Sequence, residues 1–569
     1  MLRSLNGVQI SASKFGGFAR RFWSRLSSLE KISFGILIVV IISACSFRLF
    51  LTNKNGIFKP AKGGTIIEGV VGQAGAINPL YAQGSQVDRD VSNLVFSGLV
   101  KTNRSREFLP DLAVSWNVLD SGKAYIFTLR DNVKWHDGEK FDANDVVFTF
   151  KVIQSDAYKG VLKANWQGVT VAALNPTTVE FKLPNSSTFF LSQLTLGIIP
   201  EHLFAHLPVS VIGDADNNTK PIGTGPYKLT SSVNARNSIS LSVNENYYDE
   251  LPLVEKLVFY FHDNEKTLLT TLQSGAITSA GFSTLAGVKD LELPGVNKYT
   301  YQLPQYKAVF MNQMGGNAAL ADKAVRQALA FATNKTKIIN EAEDGDASAV
   351  DSPVLPGFWG YLPTIKKYKF DFISARDILH KNGWQDKDKD GVLEKGKVRL
   401  SFSLSFKNDK TNTKIAEVLA SDWSAIGAEV ILQPYETGDL LDTVIRPRSY
   451  DALIFGQNLG SDSDPYVYWH SSQARDPGLA LSIMYDKDID NNLELARLSS
   501  SLNKAIGYYH NFQKSFAELV PAILLYQPNY HYLIEDKVKG VTDEINFSDL
   551  SDRFINLADW YIKSQKTTS

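Results

Sequence analysis

Between Ile32 and Phe47 the chain carries no charged residue, and after Arg48 the run Leu49, Phe50, Leu51 extends the apolar segment. That is about the ~20 residues a bilayer crossing requires. Residues 1–31 hold Arg3, Lys14, Arg20, Arg21, Arg25 and Lys31 against one acid, Glu30, a basic lead-in of the kind retained in the cytoplasm. The expectation is a single N-terminal membrane anchor over residues 32–51, with everything after it extracytoplasmic. Ile42, Ser43, Ala44 and Cys45 also fit a lipoprotein signal in which Cys45 carries the lipid, but the apolar run continuing to Leu51 favours an uncleaved span. No amphipathic stripe supports a buried helix of a globular core.

No later stretch has membrane length, so the remaining apolar residues must be buried in cores of the chain's own. At 569 residues the chain is too long for one core and length suggests two to four domains. The 59 basic and 60 acidic residues leave a net charge of −1, which removes the electrostatic footprint that nucleic-acid binding needs. Cys45 is the only cysteine, excluding intramolecular disulfides, Cys-based zinc sites and CxxC redox chemistry.

Residues 52–63, TNKNGIFKPAKG, read as a polar linker. Beyond it the periodicity is mixed. Strands are predicted where apolar residues alternate, at Thr65–Val71, Tyr125–Leu129, Val179–Leu183, Ile239–Val243, Leu257–Phe261, Tyr306–Asn312, Val398–Leu404 and, closing the chain, Ala522–Tyr526. Helical spacing marks Val87–Leu99, Asp263–Gln273, Ala321–Thr333 and Ile415–Ile426. Asp142 with Asp145 resembles a capping box, and Ser374 is expected to cap the helix ending at Gly383. The class is α/β.

The stretch Tyr450–Ser472 carries the best functional signal. An apolar strand, Asp451–Gly456, ends in the polar loop Gln457–Asp464, and Pro465, Tyr466, Tyr468, Trp469 and His470 follow. Strand ends of this kind hold ligands in α/β proteins, and carboxylates beside aromatic rings suit an organic cation. The candidate ligand-binding residues are Asp462, Asp464, Gln457, Tyr468 and Trp469, with Asn312 at the end of another strand. A solvated Asp/Ser turn followed by core aromatics is the alternative.

Metal and catalytic motifs are weak. His202 and His206 have i, i+4 spacing, but Leu203 stands where a metalloprotease has Glu. Asp386, Asp388, Asp390 and Gly391 match the opening of a calcium loop, yet Lys397 replaces its closing Glu. Neither a GxSxG elbow, a Walker loop nor a Rossmann triplet in a strand-to-helix context is present. No enzymatic chemistry and no cofactor is expected.

Several segments, in order from about residue 64 to 560, together resemble the family 5 extracellular solute-binding proteins, the peptide and nickel receptors of ABC importers. They are Phe96-Ser97-Gly98-Leu99, Phe127-Thr128-Leu129-Arg130, Val133-Lys134-Trp135-His136-Asp137-Gly138, Asp145-Val146-Val147-Phe148, Ile199-Pro200-Glu201-His202, Gly223-Thr224-Gly225-Pro226-Tyr227 and Val325-Arg326-Gln327-Ala328-Leu329. The resemblance implies two lobes around a ligand cleft. One is assembled from residues 64–100, 186–300 and 517–565 with a subdomain inserted at 101–185; the other is 301–516. It also implies a monomer that captures short peptides and delivers them to a permease and ATPase. In peptide-binding members an Asp of the loop before Asp464-Pro465 pairs with the ligand's α-amino group. Here the family's Trp early in the loop is absent and Ser461 occupies the usual Asp position, so the role passes to Asp462 or is lost. The same fold binding a metal chelate or oligosaccharide, and a surface enzyme or sensor, are the competing readings.

Overall fold

In this computed structural model the structure describes residues 27–567 apart from 55–56, 232–236, 284, 286, 461–463 and 500, with backbone alone at 34, 45–54, 57 and 566–567. The chain divides into two units, Met1–Ala61 with Lys563–Ser569, and Lys62–Ile562.

Among its described residues the first unit holds one helix and one ribbon. Helix α1 spans Ser28–Lys54, and the Ser27 N–H donates to Glu30 Oε2 at 2.8 Å to open it. Its side chains Ile36 to Ile42 are all 43–62% exposed. At 3.6 residues per turn, seven successive residues occupy every face. Among the described residues no helix is long and apolar enough to cross a membrane. The expected linker is replaced by structure: α1 runs on to Lys54, and Ile57–Ala61 pairs antiparallel with Lys563–Thr567. The partner strand lies at the far end of the sequence, where no local pattern reveals it.

In the second unit alternation becomes sheet as expected. Its main elements are α2 (Gln86–Val95), α3 (Lys487–Arg497) and α4 (Leu502–Leu519), with β1 (Thr65–Val71), β2 (Val296–Gln302), β3 (Gln305–Met311), β4 (Ala452–Asn458) and β5 (Ala522–Glu535). One sheet path runs Glu429–Tyr435, Ser401–Lys407, β4, β3, β5, Ser279–Phe282, β1, Lys256–His262, Ser238–Val243 and Tyr227–Leu229. The shared member is β5. Its first part pairs with β3, Phe310 opposite Ala522, and its second with β2, Gln302 opposite Asn529. Predicted to stop at Tyr526, β5 runs on to Glu535 and is 14 residues long in all. Pro528 lacks a donor, but its carbonyl accepts the Leu303 N–H at 3.0 Å, and Gln527 Nε2 donates to Leu303 O at 2.7 Å. The chain therefore crosses between the two sheet halves side by side, at Leu303–Pro304 and Gln527–Pro528, giving a mixed α/β two-lobed fold.

Each half has its own cores. In β3 the alternation Ala308, Phe310 against Val309, Met311 sends side chains to opposite faces. Val309 packs with Leu404, Trp423 and Ile454, and Phe310 with Leu453 and Phe512. On the other half Ile66, Phe127 and Trp166 share a core that also takes in an antiparallel sheet of Ala113–Leu119, Ala124–Leu129, Thr178–Lys182 and Thr170–Asn175, in that order. The capping box forms as read, Asp142 Oδ1 accepting from Asn144 N at 2.7 Å and Asp145 Oδ2 from Asp142 N at 3.0 Å. Ser374 is not the cap. Asp371 caps the helix Phe372–Lys381 by accepting from the Ile373 and Ser374 N–H groups, because a carboxylate one step before the turn reaches both orphan donors.

Candidate functional site

Two of the short motifs meet in space. His136 Nδ1 accepts from Gly223 N–H at 3.2 Å, and Nε2 lies 3.1 Å from the Gly225 carbonyl, to which it donates in the matching tautomer. Burial pushes the imidazole down to about 4. Gly223 and Gly225 are required by close approach: a Cβ would sit 1.9 Å from Val95 O and 2.6 Å from Leu94 O respectively. This knot ties the loop that follows the strand Ala124–Leu129 to α2 and the strand Tyr227–Leu229.

A cavity of about 1320 Å³ opens beside it, lined from one half by residues including Asp111, Trp116 and Phe189 and from the other by Trp359, Asn458 and Leu502. Its walls combine rings with a charged group of partners. Lys101 Nζ pairs with Asp249 at 2.6 Å, and Asp111 Oδ1 accepts from Tyr248 OH at 2.5 Å. Burial raises the Asp111 carboxyl to about 6. These lining residues escaped the sequence reading, since they are gathered from many separate segments; only the polar loop after β4 pointed toward them.

That loop reaches the cavity through Asn458 and Gly460. Asp462 lies outside the described residues. Asp464 is buried; its Oδ2 is 3.1 Å from Arg497 Nε at the end of α3, and its Oδ1 accepts from Tyr466 N at 3.0 Å and Tyr509 OH at 3.4 Å. Burial raises its carboxyl and the Arg497 guanidinium opposes that. Gln457 is also buried, accepting from Tyr306 OH at 2.6 Å and donating to Leu479 O at 3.2 Å. Trp469 packs in the core against Phe516 and Phe310, ring centroids 4.8 and 6.0 Å away. Tyr468 donates to Asn458 O at 2.7 Å. Asn312 is placed apart: Gln305 of β3 faces Asn458, whereas Asn312 N bonds Asp451 O at the opposite end of β4, roughly 20 Å along the strand pair.

The other motifs resolve into local structure. His202 Nε2 contacts Asp137 at 2.9 Å, but its helix covers only Glu201–Phe204, so His206 does not share its face. Ligand oxygens of Asp386, Asp388 and Glu394 lie within 4.8 Å of one another. Gly391 N–H closes the loop on Asp386 at 3.1 Å, and Arg399 pairs with neighbouring Asp390 at 2.5 Å.

Residues 107–478 match the family model described as bacterial extracellular solute-binding proteins, family 5 Middle. The oligopeptide-binding protein AppA of Bacillus subtilis is 29% identical over 537 residues, 91% of this chain and 96% of that protein. Its structure in complex with a nonapeptide superposes with a TM-score of 0.65 at 27% identity, covering 89% of this chain and 100% of the other. NikZ of Campylobacter jejuni in complex with Ni(L-His) gives a TM-score of 0.66 at 28% identity, covering 87% and 99%. A model match over more than half the chain, with two-lobed relatives aligned nearly end to end, means that the chain belongs to the family 5 extracellular solute-binding proteins, the substrate-binding components of ABC importers.

Proposed function

We propose that the chain captures short peptides in the cavity between its lobes and delivers them to an importer's permease and ATPase. The cavity carries this reading. Its volume of about 1320 Å³ exceeds the roughly 300–1,000 Å³ typical of drug-sized ligands, and rings and polar groups from both halves line it, as an extended, side-chain-tolerant ligand requires. AppA's nonapeptide complex is consistent with it. Because Arg497 already engages Asp464, Asp462 is the residue of the loop proposed to meet the ligand's α-ammonium group. The desolvated ammonium needs an ionised partner within hydrogen-bond reach.

Native mass spectrometry of the purified protein tests this by identifying what it carries. Peptides are expected, and calorimetry with a nonapeptide should show at least a tenfold loss of affinity on N-acetylation of the peptide or on Asp462→Asn. Recovery of a metal chelate alone, of the kind NikZ binds, would overturn the peptide reading. Unchanged affinity in both calorimetric comparisons would remove the ammonium anchor.

We also propose that α1 holds the chain at the membrane, as a monomer with residues from about 64 onward extracytoplasmic. The consecutive exposed apolar side chains Ile36 to Ile42 support it. In cell fractionation both the parent and Cys45→Ser should remain with membranes. Release of Cys45→Ser into the soluble fraction would show instead that the thiol carries a lipid.

A further inference from the structure

The two halves are joined at a second place, remote in sequence from the paired crossings. The segment Ser186–Phe189 reaches from the inserted region to the C-terminal end of α3. Thr188 Oγ1 lies 3.0 Å from both Ala496 O and Ser499 O and 3.4 Å from Arg497 O, and Thr188 N–H donates to Arg497 O at 3.4 Å. Ser186 Oγ donates to Leu498 O at 2.6 Å. The last carbonyls of a helix have no partner within it, and here donors from the other lobe supply several. The adjacent Phe189 is 5% exposed and belongs to the core of the opposite lobe, its ring 5.0 Å from Trp359 and 6.4 Å from Tyr509. Ser187, Thr188, Phe189, Trp359 and Ser499 all line the cavity, so this contact bounds it.

The same helix end carries Arg497, whose guanidinium lies over the Tyr466 ring at 4.6 Å and pairs with Asp464 at 3.1 Å. Tyr509, which touches Phe189, also donates to Asp464 at 3.4 Å. One buried carboxylate therefore contacts both partners of the clasp: the helix end that Thr188 grips and the ring that Phe189 meets.

We propose that Ser186, Thr188 and Phe189 form a clasp that holds the two lobes together across the cavity, and that Asp464 is its positioning residue, acting through Arg497 and Tyr509. The clasp itself rests only on these contacts. Its effect on peptide release rests on the peptide reading above.

The test separates the two. In the full chain bearing Cys45→Ser, nitroxide labels at Val161→Cys and Tyr485→Cys, both strongly exposed at 75% and 71%, report the interlobe distance without ligand. Ser186→Ala with Thr188→Val should raise the population of longer distances about fivefold, the scale of one net hydrogen bond. Asp464→Asn should do the same, and adding it to the double variant should give much less than the product, the non-additivity expected of residues acting as one unit. Circular dichroism should show the same unfolding midpoint for Thr188→Val alone as for the parent, which excludes general loss of structure. Distances unchanged by all variants overturn the clasp, and multiplicative effects overturn the role of Asp464. For a fluorescein-labelled nonapeptide, the clasp variants should release about fivefold faster with little change in association rate. A widened distance together with no nonapeptide binding by the parent upholds the clasp and rejects the peptide reading.

Discussion

Replacing Arg553 with methionine should cost roughly 3 to 5 kcal/mol of stability, the range for breaking a buried ion network from one side. Arg553 is 2% exposed, and its partners Glu68 and Asp90 are buried with it. Its Nε donates to Glu68 Oε1 at 2.9 Å, Nη1 to Asp90 Oδ1 at 3.1 Å, and Nη2 contacts Asp90 Oδ2. The carboxylates have other donors, Tyr532 OH at 2.8 Å on Glu68 and Ser551 Oγ at 2.7 Å on Asp90. Hydroxyl donors do not replace a charge. Burial already pushes the Glu68 carboxyl up while Arg553 pulls it back, so loss of the guanidinium leaves two carboxylates desolvated together. The network joins β1, α2 and the segment Leu550–Phe554, and its failure should loosen the whole first lobe. Urea unfolding of Arg553→Met, followed by tryptophan fluorescence, measures it. A further variant with Glu68→Gln, Asp90→Asn and Arg553→Met should recover much of the loss, since no uncompensated charge remains. A cost below about 1 kcal/mol for Arg553→Met would mean that the pairs contribute like exposed ones.

The second large effect is on pH dependence. His136 is held neutral with its native value near 4, against the ordinary 6.5, chiefly by burial, with Lys228 adding to the depression and the Gly225 hydrogen bond and Asp137 opposing it. Below pH 6.5 the unfolded chain therefore takes up a proton that the native state refuses. The contribution is fully present above about pH 6.5 and is lost as pH falls toward 4. The fall from 6.5 to about 4 corresponds to about 3 kcal/mol. Asp111 works in the other direction: raised from 3.8 to about 6, its contribution is present below 3.8 and declines as pH rises through 6. The parent's profile alone is thus a partial cancellation, and the stability gap between parent and His136→Gln isolates the imidazole. That gap should shrink by about 3 kcal/mol between pH 7 and pH 4 in equilibrium unfolding. A gap independent of pH would show that His136 titrates normally.

Much of the architecture was legible because it is local. Ile239, Leu241 and Val243 are buried on one face of their strand, and Asp142 caps the helix it precedes. Ser374 was misread because a side chain that can cap stood three residues after a better one, Asp371. The short motifs were visible individually, but that His136 bonds the backbone of Gly223 and Gly225 is a tertiary fact. So is Arg553 finding Glu68 from the opposite end of the chain. In the loop region the ambiguity was physical: an acid beside aromatics suits a ligand or a packed turn equally. The structure places Trp469 among Phe310 and Phe516 and gives Asp464 an arginine, contacts that only the arrival of α3 and α4 determines.

The position of β5 also constrains when such a chain can fold. This strand sits between β3 and Ser279–Phe282 in the sheet path and pairs with β2 besides, yet it is encoded near the C-terminus. A nascent chain that has not yet been synthesised past Glu535 lacks the central strand of both lobes at once, and its pairing partners wait with open ladders. Neither lobe can be finished before Glu535 has been made, and long-range closure is slow. The molecule is thus held back from its native state until the chain through Glu535 is available, and its two sheet halves must close together rather than one after the other.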